Sequence, residues 1–473
     1  MNFCSSVYGR GLVVVLLLVL LVVSCKHRSA DEFVTIKDPV IALTHVRVID
    51  GTGAAARDDQ TIIIEGGRIS AIGPTSGTPI PQSATIHDLS GRTAIPGLVG
   101  MHDHLFYSTD RGKRDVVATK SFAPLYLASG VTTIRTTGAG SLSAEQALKR
   151  SIETGELAGP KIHLTSPYIN HGVNETLTSE QVTSKINEWA DEGVTSFKVY
   201  TMISRAELGY VIDAAHKQGL KVTGHLCAVG FVEAAQIGID NLEHGLAVDT
   251  EFFSGKKADQ CPNQSDFLPE LARIDVTSPA VQTMIKELVS HHVAVTSTLA
   301  IFEGFNEDKF QLDPRMKSVL SDDAYADCLS ELAVAKDHSS WWRVWEMTLH
   351  KEMQFEREFA KAGGLLMSGV DPTGWGGVIA GFGDQRGVEL LVQAGFTPEE
   401  AIRIATLNGA TFLGEEKGIG SLATGKQADI VIIRGNPSTN IADIRKVELV
   451  FKDGVGYDSA KLIESVHGMV GTN

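Results

Sequence analysis

Short apolar runs alternate with helical periodicity through most of this chain, and nearly every run ends on a polar residue. Eight runs read as strands, at about 98–104, 131–136, 161–165, 195–200, 221–225, 241–244, 293–298 and 365–371. They are apolar almost throughout, as strands covered on both faces must be. Between them, Ser143-x-x-Gln146, Thr178-x-x-Gln181 and Ser204-x-x-Glu207 have capping-box spacing, and Thr397-Pro-Glu-Glu400 puts proline in a first helical turn. Val182, Ile186 and Trp189 recur at helical spacing and read as a core-facing stripe. Eight strand–helix units predict an α/β fold, a TIM-type (β/α)8 barrel over residues 96–424. Two strand-to-helix connections, 245–290 and 299–364, are long enough to cover the barrel mouth. Trp341, Trp342 and Trp345 fall in the second, where they either line a pocket or pack within a helix.

The flanks have a different rhythm. Ile41–Ile49, Gln60–Glu65, Arg68–Ile72 and Ala84–Leu89 alternate as short strands, punctuated by Gly51, Gly66-Gly67 and Gly91. Ala428–Arg434 and Val447–Lys452 repeat that character near the other end. Open strand edges need partners, so segments 35–95 and 425–473 are expected to pair into one small β domain.

The first residues have a third pattern. Arg10 precedes twelve consecutive apolar residues, Leu12 to Val23. A membrane-spanning helix needs about 20, so this run reads as the apolar core of an export signal. Val22-Val-Ser-Cys25 resembles a bacterial lipobox. That resemblance implies a signal peptide over 1–24, a lipidated Cys25, a tether over 25–34 and an exported lipoprotein of the cell envelope. The only membrane contact expected is through the lipid.

Composition narrows the function. A chain of 473 residues with 43% hydrophobic content and 47 glycines suits a compact enzyme. The formal charge is −15, and removing residues 1–24 takes one arginine and no acid, giving −16. Nucleic acid is thereby excluded as partner, since phosphate binding relies on clustered cations. The partner expected is a small-molecule substrate. Beyond Cys4 and Cys25, the cysteines are Cys227, Cys261 and Cys328. A Cys261–Cys328 disulfide is compatible with export but not fixed by spacing, and Cys227 reads as a structural thiol.

The chemistry starts at His102 and His104. Residues i and i+2 on a strand share a side, so two imidazoles at a strand end can grip one metal ion. Lys198, His225, His244 and Asp371 stand at the ends of four other runs. Donors spread over several strand ends are what a metal at a barrel mouth requires. The order H-x-H, Lys, His, His, Asp resembles the amidohydrolase superfamily, in its two-metal subtype with a carboxylated lysine, from about Val40 to about Gly454. The resemblance implies a β-sandwich built from both chain ends. It also implies two divalent ions, zinc by default for this donor set. His102, His104 and Asp371 would hold the buried ion, His225 and His244 the outer one, and a CO2-derived carbamate on Lys198 would bridge them. Asp371 would act as general base and then general acid toward a metal-bound hydroxide.

With Gly130-Val-Thr-Thr-Ile-Arg135 after the first helix, the sequence is also similar to the imidazolonepropionase-like and prolidase-like branch. That implies a dipeptidase-type hydrolase of small amides, dipeptides or N-acyl amino acids. A cyclic-amide or lactone hydrolase is the enzyme alternative, and a catalytically dead solute-binding lipoprotein the non-enzymatic one. Tyr200, two residues beyond Lys198, either polarises the substrate carbonyl or packs structurally. Arg135 either binds a substrate carboxylate at the mouth or forms a salt bridge within the barrel.

Overall fold

The computed structural model describes residues 29–110, 113–170, 177–304, 312–337, 339–374 and 377–472. The apolar run Leu12–Val23 and Cys25 lie outside the described residues. Eight parallel strands lie where the apolar runs place them, with ends that differ by at most three residues. They are β1 (Leu98–Asp103), β2 (Val131–Thr136), β3 (Lys161–His163), β4 (Ser196–Val199), β5 (Lys221–Gly224), β6 (Asn241–Glu243), β7 (Ala294–Ser297) and β8 (Leu366–Ser368). Of the three capping boxes, those at Thr178 and Ser204 form as expected, as does the one at Thr397 with Pro398 behind it. The box at Ser143 does not. That helix already starts at Leu142, so Ser143 lies inside its first turn.

The fold is TIM-barrel-like, but the eight strands do not close into one continuous ladder. They form a three-stranded sheet, β3-β2-β1, and a five-stranded sheet, β4 to β8 in order. Isolated bridges Thr165–Ser196 and Ile169–Val199 join the residues after β3 to β4. At the other seam the backbone N–H groups of Val370 and Asp371 donate to the His102 carbonyl. Gly369 makes this approach possible, because a Cβ there would lie 2.4 Å from the His102 Cβ.

Strands from the two chain ends share a single mixed sheet of nine strands, in which Arg92–Pro96 pairs antiparallel with Ile430–Arg434. The expected two-layer sandwich is thus realised only in part. One hydrogen-bonded sheet curls round its own core of Ile41, Leu43, Ile62, Ile64, Ile430 and Phe451. Its far edge returns to residues 426–428 through Ile69 N–H to the Lys426 carbonyl and Ala428 N–H to the Gly67 carbonyl. The antiparallel pair Phe106–Thr109 and Arg114–Val117, beside the barrel mouth, is not evident from the sequence pattern.

The cysteine expectation is corrected. Cys227 is bonded to Cys261, with Cα atoms 4.9 Å apart. Cys328 is buried outside that bond. The disulfide ties the 245–263 stretch to the chain two residues beyond His225.

Candidate metal centre

The candidate ligands come from the ends of five strands, β1 supplying both His102 and His104, and all are turned toward one cavity. On β4, Phe197 and Val199 pack into the hydrophobic core, so the alternating Lys198 faces the other way, into the barrel. His102, His104, Lys198, His225, His244 and Asp371 all line one cavity of about 690 Å³, with Tyr200 beside them. His104 Nε2 lies 3.2 Å and His102 Nε2 3.7 Å from Asp371 Oδ1. Donor atoms of His102, His244 and Asp371 fall within 4.8 Å of one another. The His225 and His244 ring centres are 4.5 Å apart.

Two of these residues adopt left-handed backbone, His244 at φ 67° and Asp371 at φ 55°. Such conformations are uncommon outside glycine and hold only where the surroundings over-determine them. Here the turn redirects each side chain off its strand end. For His244 the following turn, Gly245–Val248, is held by Glu352, whose carboxylate accepts the Ala247 N–H at 2.7 Å.

The imidazoles of His102, His225 and His244 are set up to be neutral. Burial drives the pKa of His102 and His244 well below the ordinary histidine value and takes His225 down to about 3, with Lys198 adding to all three. A metal-binding imidazole must be neutral. The His102 tautomer follows from its partner: Nδ1 donates to Glu243 Oε2 at 2.8 Å, which leaves Nε2 available to a ligand. His244 Nδ1 lies 2.8 Å from the Thr298 hydroxyl.

Behind His102 lies a buried polar chain that sequence reasoning did not find. Arg135 Nη2 donates to Glu243 Oε1 at 2.7 Å, and Arg135 Nε donates to the Met101 carbonyl at 2.9 Å. The Thr223 hydroxyl also bonds Glu243. Burial opposes charge on Glu243, but Arg135 and then Lys198 hold its carboxyl below the usual range. The Asn-Leu-Glu-His stretch contains the only available signal, an acid directly before a candidate ligand. This arrangement corrects the reading of Arg135 as a residue that reaches the mouth. Its side chain is 1% exposed and does not line the cavity. The guanidinium is an internal partner of Glu243, the other course open to it.

Lys198 is the anomaly. Its Nζ is buried with no hydrogen-bond partner, and burial brings its pKa down to about 8, against the pull of Glu243. An isolated buried ammonium is costly. The donor set around it, several neutral imidazoles and a carboxylate, lacks one further anion to hold two divalent ions. A carbamate on that amine fits the place. Asp371 supplies the other charge. Burial raises its pKa, but His102 and then His104 outweigh this and hold it at about 2. Tyr200 lies over His225 with ring centres 5.0 Å apart. Burial and then Asp371 push its phenol up, so it stays protonated at neutral pH.

The sequence profile of the amidohydrolase family matches residues 93–252 and 359–455. An adenine deaminase from Chelativorans sp. is 24% identical over 414 residues, covering 84% of this chain and 54% of that protein. An imidazolonepropionase from Cereibacter sphaeroides is 33% identical over 96 residues, 20% of this chain and 24% of that protein. The chain therefore spans about half or less of the length of these curated relatives. The crystal structure of a Xaa-Pro dipeptidase with methionine bound in its active site superimposes with a TM-score of 0.66 at 20% identity. It covers 89% of this chain and all of the other, a likeness of fold.

Proposed function

Because this chain belongs to the amidohydrolase family, we infer that it hydrolyses a carbon–nitrogen bond of a small amide in the cavity that Lys198 and Asp371 line. Lys198 carries the reading: a buried amine without a hydrogen-bond partner, among imidazoles that burial keeps neutral. Addition of CO2 to the neutral amine forms a new N–C bond, releases one proton and leaves one negative charge shared by two oxygens. That carbamate would help to hold two divalent ions. His102, His104 and Asp371 would hold one ion, and His225 and His244 the other, with zinc suited to nitrogen and oxygen donors. When bound, such ions polarise a carbonyl and lower the pKa of water.

The chain's own groups do the rest. Asp371, ionised at neutral pH, accepts the proton of the attacking water and passes it to the departing amine nitrogen. The Tyr200 phenol, protonated and lining the same cavity, donates to the substrate carbonyl oxygen as negative charge develops there. Glu243 and Arg135 fix the His102 ring. Dipeptides and N-acyl amino acids are the first substrates to assay, although the residue expected to read their carboxylate, Arg135, is occupied elsewhere.

The test is a screen of zinc-loaded protein on dipeptides, N-acyl amino acids, cyclic amides and lactones, with elemental analysis and Asp371→Asn alongside. About two metals per chain and amide hydrolysis are expected, with kcat falling on the order of 10²–10⁴-fold in the variant at unchanged metal content. Binding without turnover, turnover of lactones alone, or normal kcat in Asp371→Asn would overturn the reading.

A further inference from the structure

The cavity walls bear on which amide enters, and this inference rests on the hydrolase reading above. Seven of its nineteen lining residues are Phe, Tyr or Trp. A run of rings leads outward from the ligand residues. The His244 and Phe302 ring centres are 6.0 Å apart, and Trp345 stacks on Phe302 at 5.7 Å with planes 18° apart. Trp341, one turn earlier on the same helix, also lines the cavity. On another side Phe106 lies 4.6 Å from His104. The helix around Trp345 settles the alternative left open by the sequence: Trp345 is both packed and cavity-lining.

The same walls are short of positive charge. Apart from the candidate metal ligands, the only formally charged side chain among the described lining residues is an acid, Asp115. Ser108 donates to it at 2.6 Å. Arg135, which does not line the cavity, is committed to Glu243. Among the described residues, a carboxylate moved into this space would leave water without gaining a guanidinium or ammonium partner beyond the candidate metal ligands. A flat ring would gain offset and edge contacts with Phe302, Trp345 and Phe106.

We propose that the site takes amides with an uncharged flank bearing an aromatic ring, and that Trp345 and Trp341 set this preference. Three amides with one scissile bond each separate the contributions: N-acetylphenethylamine, N-acetyl-L-phenylalanine and N-butylacetamide. The second adds a carboxylate to the first, and the third removes the ring. With the zinc-loaded enzyme, kcat/KM for N-acetylphenethylamine should exceed each of the others by about tenfold or more. In Trp345→Ala, and in the less buried Trp341→Leu, its ratio to N-butylacetamide should fall toward one. Faster cleavage of N-acetyl-L-phenylalanine, or a ratio near one in the unaltered enzyme, overturns the proposal. Titrations read by tryptophan fluorescence keep the two readings distinguishable. If none of the three turns over with two metals bound, hydrolysis of such amides is refuted. The order of affinities then decides: tighter binding of N-acetylphenethylamine supports the aromatic, uncharged preference, and equal or weaker binding overturns it.

Discussion

Arg135 and Glu243 form a buried ion pair whose removal can be worked through from its contacts. In Arg135→Met, Glu243 keeps the Thr223 hydroxyl and His102 as hydrogen-bond partners and Lys198 as a cationic neighbour, with both side chains of the original pair at 1% exposure or less. Breaking one half of such a pair costs about 3–5 kcal/mol, because the other charge stays buried without compensation. Glu243→Gln strands the guanidinium and should cost about as much. The double variant removes both charges, so its loss should fall short of the sum of the singles by about 0.5–3 kcal/mol. Urea unfolding of the metal-free full chain, followed by circular dichroism, measures all three. Glu243 also orients His102, so zinc affinity by chelator competition should drop about 10–100-fold in Glu243→Gln. Losses that add to within about 0.5 kcal/mol would show the two groups to be energetically independent. An Arg135→Met loss below about 1 kcal/mol would show that the guanidinium does not compensate Glu243.

Three further outcomes follow from individual residues. Lys198 has a folded pKa of about 8 against an ordinary 10.5, so its buried charge destabilises the metal-free protein below that range. Lys198→Met should therefore raise metal-free stability at pH 7 by up to about 3 kcal/mol while metal content falls below two; a less stable metal-free variant would contradict this. Glu145 is pushed by burial to about 8 from 4.5, so the stability it contributes is full below pH 4.5 and lost as pH rises through 8. Glu145→Gln should match the parent's melting temperature near pH 4.5 and gain on it steadily toward pH 8, and parallel profiles would refute the shift. Radiolabelled fatty acid should appear on the mature protein and vanish in Cys25→Ser, whereas a mature N-terminus elsewhere would mark an ordinary secreted chain.

The parts legible in the sequence share one property: a local pattern fixes them. The eight core strands are apolar runs closed by polar residues, and each candidate ligand sits at the end of such a run. The strands that escaped notice are short, as at Val34–Ile36, Arg92–Pro96 and Val455–Asp458, and carry too few residues to show a period. Glu243 escaped because its role depends on His102 and Arg135, which lie 141 and 108 residues away. The Cys227–Cys261 pairing is likewise a fact of three-dimensional proximity. Arg135 shows the limit most plainly. Its position on β2 is readable, but which of two acceptable partners it meets depends on how strand ends from opposite sides of the barrel converge.

The strand pairing that joins the two chain ends has a consequence for how the molecule is made. Pro96 lies opposite Ile430, so the edge of Arg92–Pro96 has no partner until some 330 more residues have been synthesised. At roughly 5–20 residues per second that interval is tens of seconds. Meanwhile the neighbouring apolar runs Ile41–Leu43 and Ile62–Ile64 can join each other but cannot finish their sheet. A nascent chain in this condition offers an open β edge to any other chain nearby. Ribosome-stalled chains ending before residue 425 should therefore aggregate or recruit chaperones, and chains extended past 458 should not. The strand at Ile430–Arg434 seals an edge made some 330 residues earlier.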